Sequence, residues 1–326
     1  MKNLLMLKGG GGQEHDVSLI TANYLASVID KKKFRVLEVE VDKDFNWIHE
    51  GEKVELNFQK ELTYIGTDRK ESIDLCVPCF HGYPGETGHI QAFFEMINLP
   101  YLGCGYEASA ICFNKVLTKL WLEKANIPVT PFIIAKDSSH ETLKELESFF
   151  KEEGPIFIKA SNQGSSVGCY PVDTKEEIPN FLNKAFNFSN FVIVEKKVLP
   201  RELEISVFEY KGDVIATSPS EIVCPDKFYS YEEKYSQQSK TQTNLNPDLD
   251  PKITKEIQEY AKQAFENLKL SQFCRMDFFV VGEQVYLNEI NTFPGMTPIS
   301  LFPKMIENYG LSYPKLLNDQ LLSLLN

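Results

Sequence analysis

Residues 274–300 read CRMDFFVVGEQVYLNEINTFPGMTPIS, and they govern how the rest of the chain is read. Two apolar segments, FCRMDFFVV and VYLNEIN, carry charged and amide side chains where core residues are expected. Arg275 and Asp277 sit in the first, Glu289 and Asn291 in the second. Glu289 and Asn291 are two residues apart, so on a strand both point to one face. Gly282-Glu283 predicts a hairpin turn that lays Asp277 alongside them. Asp277, Glu289 and Asn291 offer only oxygen ligands, the set that suits Mg²⁺ and not zinc. Magnesium held by a few protein oxygens completes its shell with nucleotide phosphates. An ordinary solvated hairpin does not account for polar residues inside MDFFVV and VYLNEIN, so the stretch reads as a phosphoryl-transfer metal site.

Composition sets the outer limits. A chain of 326 residues is too long for one small core and implies two or three domains. A hydrophobic fraction of 43% with 25% charged residues is that of a soluble globular protein. The formal charge of −12 argues against nucleic acid as a partner, while a local basic cleft can still hold a nucleotide. Seven cysteines show no disulfide-framework spacing. Cys76-Val77-Pro78-Cys79 lies in SIDLCVPCFHG, which reads as a buried strand, so inert core thiols are expected there and not a redox pair. MKNLLMLKGGGG is interrupted by Lys8 too early for a signal peptide. No stretch approaches the roughly 20 apolar residues of a membrane span. A cytoplasmic protein with no membrane association is expected.

The pattern along the chain is that of an α/β fold. NLLMLKG reads as a strand ending in glycines, DVSLITANYLASVI as a helix, and KFRVLEVEV and IDLCVPCF as further strands. This βαβ rhythm predicts a mostly parallel sheet over residues 1–104. After PYLGCGYEASA, a helix around Asn114–Lys124 opens a smaller α+β unit, placed at 105–193, with an amphipathic helix at SHETLKELESFFKEE. A second α+β unit occupies 194–326. Within it YSQQSKTQTNLNPDLDP is long, polar and without periodicity, as active-site lids often are.

Other segments bear on ligands. Lys159 is followed by ASNQGSSVG, a loop between two strands that includes Ser165, Ser166 and Gly168. Its backbone N–H groups can form an anion nest beside the Lys159 charge. No Lys-Ser/Thr pair follows the glycines, so it is not a Walker A loop. A plain hairpin explains the same residues about as well; the carboxylates near the C-terminus tip the reading toward phosphate. Glu195 and Lys196, at the end of FVIVEK, can offer backbone groups to a flat heterocycle and Glu202 can accept from ribose hydroxyls. Solvated charges at a strand end are the alternative. FHGYPGETGHIQ puts His81 and Glu86 at a strand end where ligands of open sheets bind, or else marks a helix cap near Glu86-Thr87; both stand. Glycines before DVSLITA make an anion site at a helix start, where Glu14 instead offers a carboxylate to an ammonium, or simply an acid favourable to the helix.

Taken together, the motifs EHDVSL (14–19), HGYPGETGHIQ (81–91), NKVLTK (114–119), IKASNQGSSVG (158–168), VEKKVLPRELE (194–204), FYSYEEKY (228–235) and 274–300 resemble the D-alanine–D-alanine ligases of the ATP-grasp superfamily. They occur in the family's order and span nearly the whole chain. The resemblance implies a three-domain ATP-grasp fold with an N-terminal domain carrying the first D-alanine site. ATP would lie between the central and C-terminal sheets. It implies that Lys115 and Lys159, with Ser165 and Ser166 of the loop, hold ATP phosphates. Glu195, Lys196 and Val198 would contact adenine, and Glu202 the ribose. Asp277, Glu289 and Asn291 would carry two Mg²⁺ ions, with Mn²⁺ an alternative. Arg275 and the Gly295 N–H would stabilise an oxyanion. Glu14 would bind the first D-alanine ammonium, His81 would lie on the substrate side, and Ser300 with Leu301 would bind the second D-alanine carboxylate. Lys234 and Tyr235 would lie on the lid, Lys234 reaching ATP and substrate, and Tyr235 bonded in a chain to Ser165 and Glu14. Thr87, Asn114 and Ala160 stand where the resemblance implies Asp, Asp and Pro.

The implied reaction activates the carboxylate of the first D-alanine as an acyl phosphate, which the amine of the second then attacks. The product would serve peptidoglycan precursor synthesis, and a homodimer is implied. The nearest alternatives are the same scaffold making D-alanyl-D-lactate or D-alanyl-D-serine, or another carboxylate–amine ligase. The Lys234-Tyr235 pair favours the dipeptide. A non-catalytic nucleotide-binding module is disfavoured, because neither Arg275 nor a metal ligand is lost.

Overall fold

Three sheets organise the chain in a computed structural model that describes residues 1–12, 14–223 and 242–325. The first contains β1 (Lys2–Gly9), β2 (Phe34–Val41), β3 (Trp47–His49), β4 (Glu52–Leu56), β5 (Glu61–Tyr64), β6 (Lys70–Ser72) and β7 (Leu75–Cys79), in the order β6-β5-β4-β3-β2-β1-β7. Leu4, Leu5, Met6 and Leu7 of β1 are all fully buried. A strand covered on both faces reads as a continuous apolar run, and here the alternate residues do feed two different cores. The helix His15–Val28 closes one face and His89–Met96 the other.

β1 runs parallel to both β2 and β7, as the βαβ rhythm predicts. The rest of this sheet departs from the expected parallel arrangement: β2 through β6 are joined antiparallel. The links between them are only a few residues long, and a parallel crossover needs a dozen or more. Cys76 and Cys79 are buried free thiols in β7, and burial raises both.

The central sheet has β8 (Phe132–Ala135), β9 (Ile156–Ala160), β10 (Cys169–Val172) and β11 (Val192–Lys196), in the order β10-β9-β11-β8. Ser139 caps the helix His140–Glu153 by accepting from Thr142 N–H. That helix and Ile178–Phe186 bury Leu146, Ile178 and Leu182 against the sheet.

The last sheet holds β12 (Arg201–Tyr210), β13 (Asp213–Ala216), β14 (Ser220–Val223), β15 (Gln242–Asn244), β16 (Phe273–Val281) and β17 (Gln284–Asn291). Its order is β15-β14-β12-β16-β17, with β13 on β12. The helices Tyr106–Phe113 and Lys115–Lys124, grouped with the central unit by sequence order, place Ala108, Cys112 and Leu122 in the core of this last sheet. The first and last sheets also share a core, in which Leu4, Leu25 and Val77 meet Phe273, Phe293, Phe302 and Leu317. The segment expected as a lid, including Lys234 and Tyr235, lies largely outside the described residues. Among the described residues no helix is long and apolar enough to cross a membrane.

Phe293 sits at that shared core, 5.9 Å from the Phe273 ring and 6.4 Å from His81. Phe293→Ala is expected to lower the unfolding free energy by about 3–5 kcal/mol. Met96→Ala, at a side chain 68% exposed, should change it by no more than about 0.5 kcal/mol. Denaturant midpoints measure both, and equal shifts would contradict this placement of the core.

Candidate active site

The alternation of β16 explains how charges come to sit in an apolar strand. Cys274, Met276, Phe278 and Val280 are buried in the core, and the residues between them, Arg275 and Asp277 included, face the other way. Gly282 makes the turn at φ +62°, in the left-handed region. The hairpin brings Asp277 alongside the second strand as expected. A register shift between Asp277 and Phe278 sets it opposite Glu289, where an unshifted strand would meet Asn288, and sets Arg275 opposite Asn291. The Arg275 guanidinium forks onto Asp277, Nε to Oδ1 and Nη2 to Oδ2, both at 2.7 Å. Its Nε is also 3.3 Å from Glu204 on the adjacent β12. Burial alone lowers Arg275, but Asp277 and Glu204 more than reverse this and hold it firmly charged. Burial raises the Asp277 carboxyl; Arg275 opposes that, and the like charge of Glu289 reinforces it.

Asn291 donates from Nδ2 to Asp277 Oδ2 at 3.2 Å. Two carboxylates and an amide side by side, with one carboxylate already pushed toward protonation, form a group that a divalent cation relieves. Among the described residues no three His, Cys, Asp or Glu side chains converge as a metal cage. So small an oxygen set suits Mg²⁺, which keeps waters and phosphate in its shell.

The opposite wall is built from the β9–β10 hairpin and the helix Lys115–Lys124. In the connecting loop Ser165 and Ser166 have φ of +50° and +62°, and Gly168 +66°. A Cβ on Gly168 would lie 2.8 Å from that of Ala160, so this close approach requires glycine. The Lys115 ammonium donates to the Gln163 carbonyl of the same loop. Asn114 caps the helix, its Oδ1 accepting from Val116 and Leu117 N–H, so it serves the cap as Asp would. Burial lowers Lys115, and Glu289 across the cavity raises it.

Lys159 Nζ lies 3.0 Å from Glu195 Oε2. That carboxylate also faces Lys119 Nζ at 3.3 Å and accepts from Thr130 Oγ1 at 3.0 Å. Burial raises Glu195, but the two lysines overcome it and bring it down to about 2. One cavity is lined by Lys115, Lys159, Ser165 and Ser166 on this side, by Glu195, Lys196, Val198 and Glu202 along its floor, and by Arg275, Asp277 and Glu289 opposite. It therefore gathers every described residue expected to meet ATP. Asn291, Glu14, His81, Gly295, Ser300 and Leu301 are not in its lining.

Glu14, at the start of the helix His15–Val28, accepts from Ser165 Oγ at 2.8 Å, joining the first domain to the loop of the central sheet. His81 is buried with Nε2 3.0 Å from Thr21 Oγ1; burial lowers it and Glu14 opposes. Glu86 accepts from Gly82 N–H at 2.9 Å and from Phe293 N–H at 3.3 Å, bridging the first and last sheets. Burial, with Glu14 adding to it, pushes this carboxyl up to about 8. Ser300 precedes the helix Leu301–Asn308, and its Oγ is 2.8 Å from Thr297 Oγ1. A Cβ on Gly295 would meet that same Oγ at 3.2 Å.

Sequence reading missed Lys119, Thr130 and Glu204. Lys119 had an available signal, since it lies one helical turn beyond Lys115 and so on the same face. Thr130 and Glu204 had none, because their roles depend on which strands lie adjacent.

Residues 3–104 match the family described as D-ala D-ala ligase N-terminus, and 121–323 the one described as D-ala D-ala ligase C-terminus. A D-alanine--D-alanine ligase of Shewanella piezotolerans is 45% identical over 99% of this chain and 98% of its own length. The structure of D-alanyl-alanine synthetase A from Vibrio cholerae superposes with a TM-score of 0.94 at 43% identity, covering 100% of this chain and 99% of that one. VanG D-Ala:D-Ser ligase from Enterococcus faecalis gives 0.89 at 29% identity, again over 100% and 99%. With both of its halves matched and its sheets superposed over the full length, the chain belongs to the D-alanine–D-alanine ligase family.

Proposed function

We propose that this protein joins two D-alanines to D-alanyl-D-alanine at the expense of ATP, releasing ADP and phosphate. The observation that carries the reading is a cavity with walls of opposite sign. Lys115 and Lys159 face it on one side, and Asp277 and Glu289 on the other. A triphosphate suits the first wall and the cation that accompanies it suits the second. Asp277, Glu289 and Asn291 would hold Mg²⁺, which when bound neutralises charge on the transferring phosphoryl group.

Protein side chains do the positioning. Glu14 pairs with the ammonium of the first D-alanine, and its bond to Ser165 keeps that substrate close to the phosphate loop. The substrate carboxylate attacks the γ-phosphorus, giving an acyl phosphate and ADP. Because the transferred group does little covalent chemistry with the protein, alignment and charge supply most of the rate. The free amine of the second D-alanine then attacks the acyl carbon, forming the amide bond, and phosphate leaves. Arg275, held charged by two carboxylates, and the Gly295 N–H stabilise the oxyanion, while Ser300 and Leu301 receive the second carboxylate. Lys234 and Tyr235, expected on a lid that keeps water from the acyl phosphate, lie outside the described residues.

Phosphate release with ATP and Mg²⁺ should rise with D-alanine and not with L-alanine. D-serine and D-lactate in the same panel separate the dipeptide from the D-Ala-D-Ser and depsipeptide alternatives. Equal release with the two alanine enantiomers would rule the assignment out. Glu289→Gln keeps the shape and removes a metal-facing charge, so kcat should fall by about 10²–10³-fold at saturating Mg²⁺. A near-normal kcat in this variant would remove Glu289 from the metal site.

A further inference from the structure

Lys119 is a lysine with 1% of its surface exposed, in a helix whose next turn toward the N-terminus presents Lys115 to the cavity. It does not itself line the cavity. Its ammonium donates to Thr130 Oγ1 at 2.7 Å, and Thr130 donates to Glu195 Oε2 at 3.0 Å. The direct separation from Lys119 Nζ to the same oxygen is 3.3 Å. Lys159 Nζ, on the cavity side, approaches that oxygen from 3.0 Å. One carboxylate oxygen thus serves two ammonium groups, one behind the wall and one in front of it. We infer that Lys119 is a positioning residue of the nucleotide site, holding the Glu195 carboxylate from behind so that Lys159 is released to the phosphates.

A buried ammonium is costly, and an apolar side chain of similar length would fill the same space without that cost. Its retention therefore calls for an electrostatic account. When a polyphosphate enters the cavity, it draws the Lys159 ammonium away from Glu195. A buried carboxylate stripped of its only cation would resist that move, because an unpaired buried charge is strongly unfavourable. With Lys119 and the Thr130 hydroxyl in place, Glu195 keeps one full counter-charge and one hydrogen bond after Lys159 has turned. Burial draws Lys119 down to about 8, Glu195 pulling it back up, so it carries its charge at neutral pH. What Lys119 changes is the cost of moving Lys159 away from Glu195.

This inference rests on the nucleotide reading of the cavity, and its test separates the two. Equilibrium binding of ATP and of adenosine would be measured, without D-alanine, for the wild type, Lys119→Met, Glu195→Gln and the double variant. Lys119→Met should weaken ATP binding by roughly ten- to a hundredfold, the scale of one charge-assisted hydrogen bond. Adenosine, which has no phosphate for Lys159, should weaken by less than about threefold. In the Glu195→Gln background Lys159 is no longer tethered, so adding Lys119→Met should cost ATP affinity less than about threefold. A merely structural lysine would instead weaken both ligands together and do so equally in both backgrounds, and either result overturns the inference. If Lys119→Met does not fold, Thr130→Val breaks the bridge and leaves both charges; it should shift ATP affinity in the same direction by a smaller factor, and an unchanged affinity overturns the inference. A wild type that binds adenosine and ATP equally would sink the phosphate role of Lys159 and this inference with it. A wild type that binds neither would sink the nucleotide reading itself.

Discussion

A guanidinium half-buried between two strands has to be answered by carboxylates, and that requirement organises this site. Arg275 forks onto Asp277 and touches Glu204 on the neighbouring strand, with Glu289 close across the hairpin. One cation among three acids leaves an excess of negative charge on that wall. On the facing wall three lysines, Lys115, Lys119 and Lys159, stand near a single carboxylate, Glu195. Neither wall is balanced alone, and buried unbalanced charge is expensive. A magnesium–nucleotide complex carries both signs in the complementary arrangement. The protein holds its polar groups in place through the apolar faces of the same strands, since Met276 and Phe278 bury what Arg275 and Asp277 expose.

The first domain is tied to this centre at two points. Glu14 accepts from Ser165 of the β9–β10 loop, and Glu86 accepts from Phe293 N–H in the segment just after β17. Both carboxylates belong to turns at the ends of parallel strands, where backbone N–H groups and helix starts point toward ligands. Glu14 is thereby held against a loop that also lines the cavity between the central and last sheets.

Much of this arrangement was legible in the residues. The hairpin itself follows from one glycine turn, a local property, but the pairing of Asp277 with Glu289 needs the register shift between Asp277 and Phe278; an unshifted strand would set Asn288 opposite Asp277. Lys159 and the loop with Ser165 and Ser166 lie on one hairpin, a local unit. Less legible were features set by long-range packing. The β3–β6 extension of the first sheet comes from short polar strands with weak patterns, and only their brief connections dictate the antiparallel course. Helices 106–113 and 115–124 look like the opening of the central unit along the chain, yet their apolar faces fit the last sheet. Glu195 reads in sequence as a charge at a strand end; its two lysines come from a helix 76 residues earlier and from the adjacent strand, a convergence that no local pattern contains.

The central claim is that the two walls align a carboxylate with the γ-phosphate so that the acid is activated by phosphorylation before the amide forms. D-alanine labelled with ¹⁸O in its carboxylate tests this most directly. An acyl phosphate route transfers one carboxylate oxygen to phosphorus, so the released inorganic phosphate should carry one ¹⁸O per dipeptide made. Dipeptide formed at the normal rate with unlabelled phosphate would contradict it.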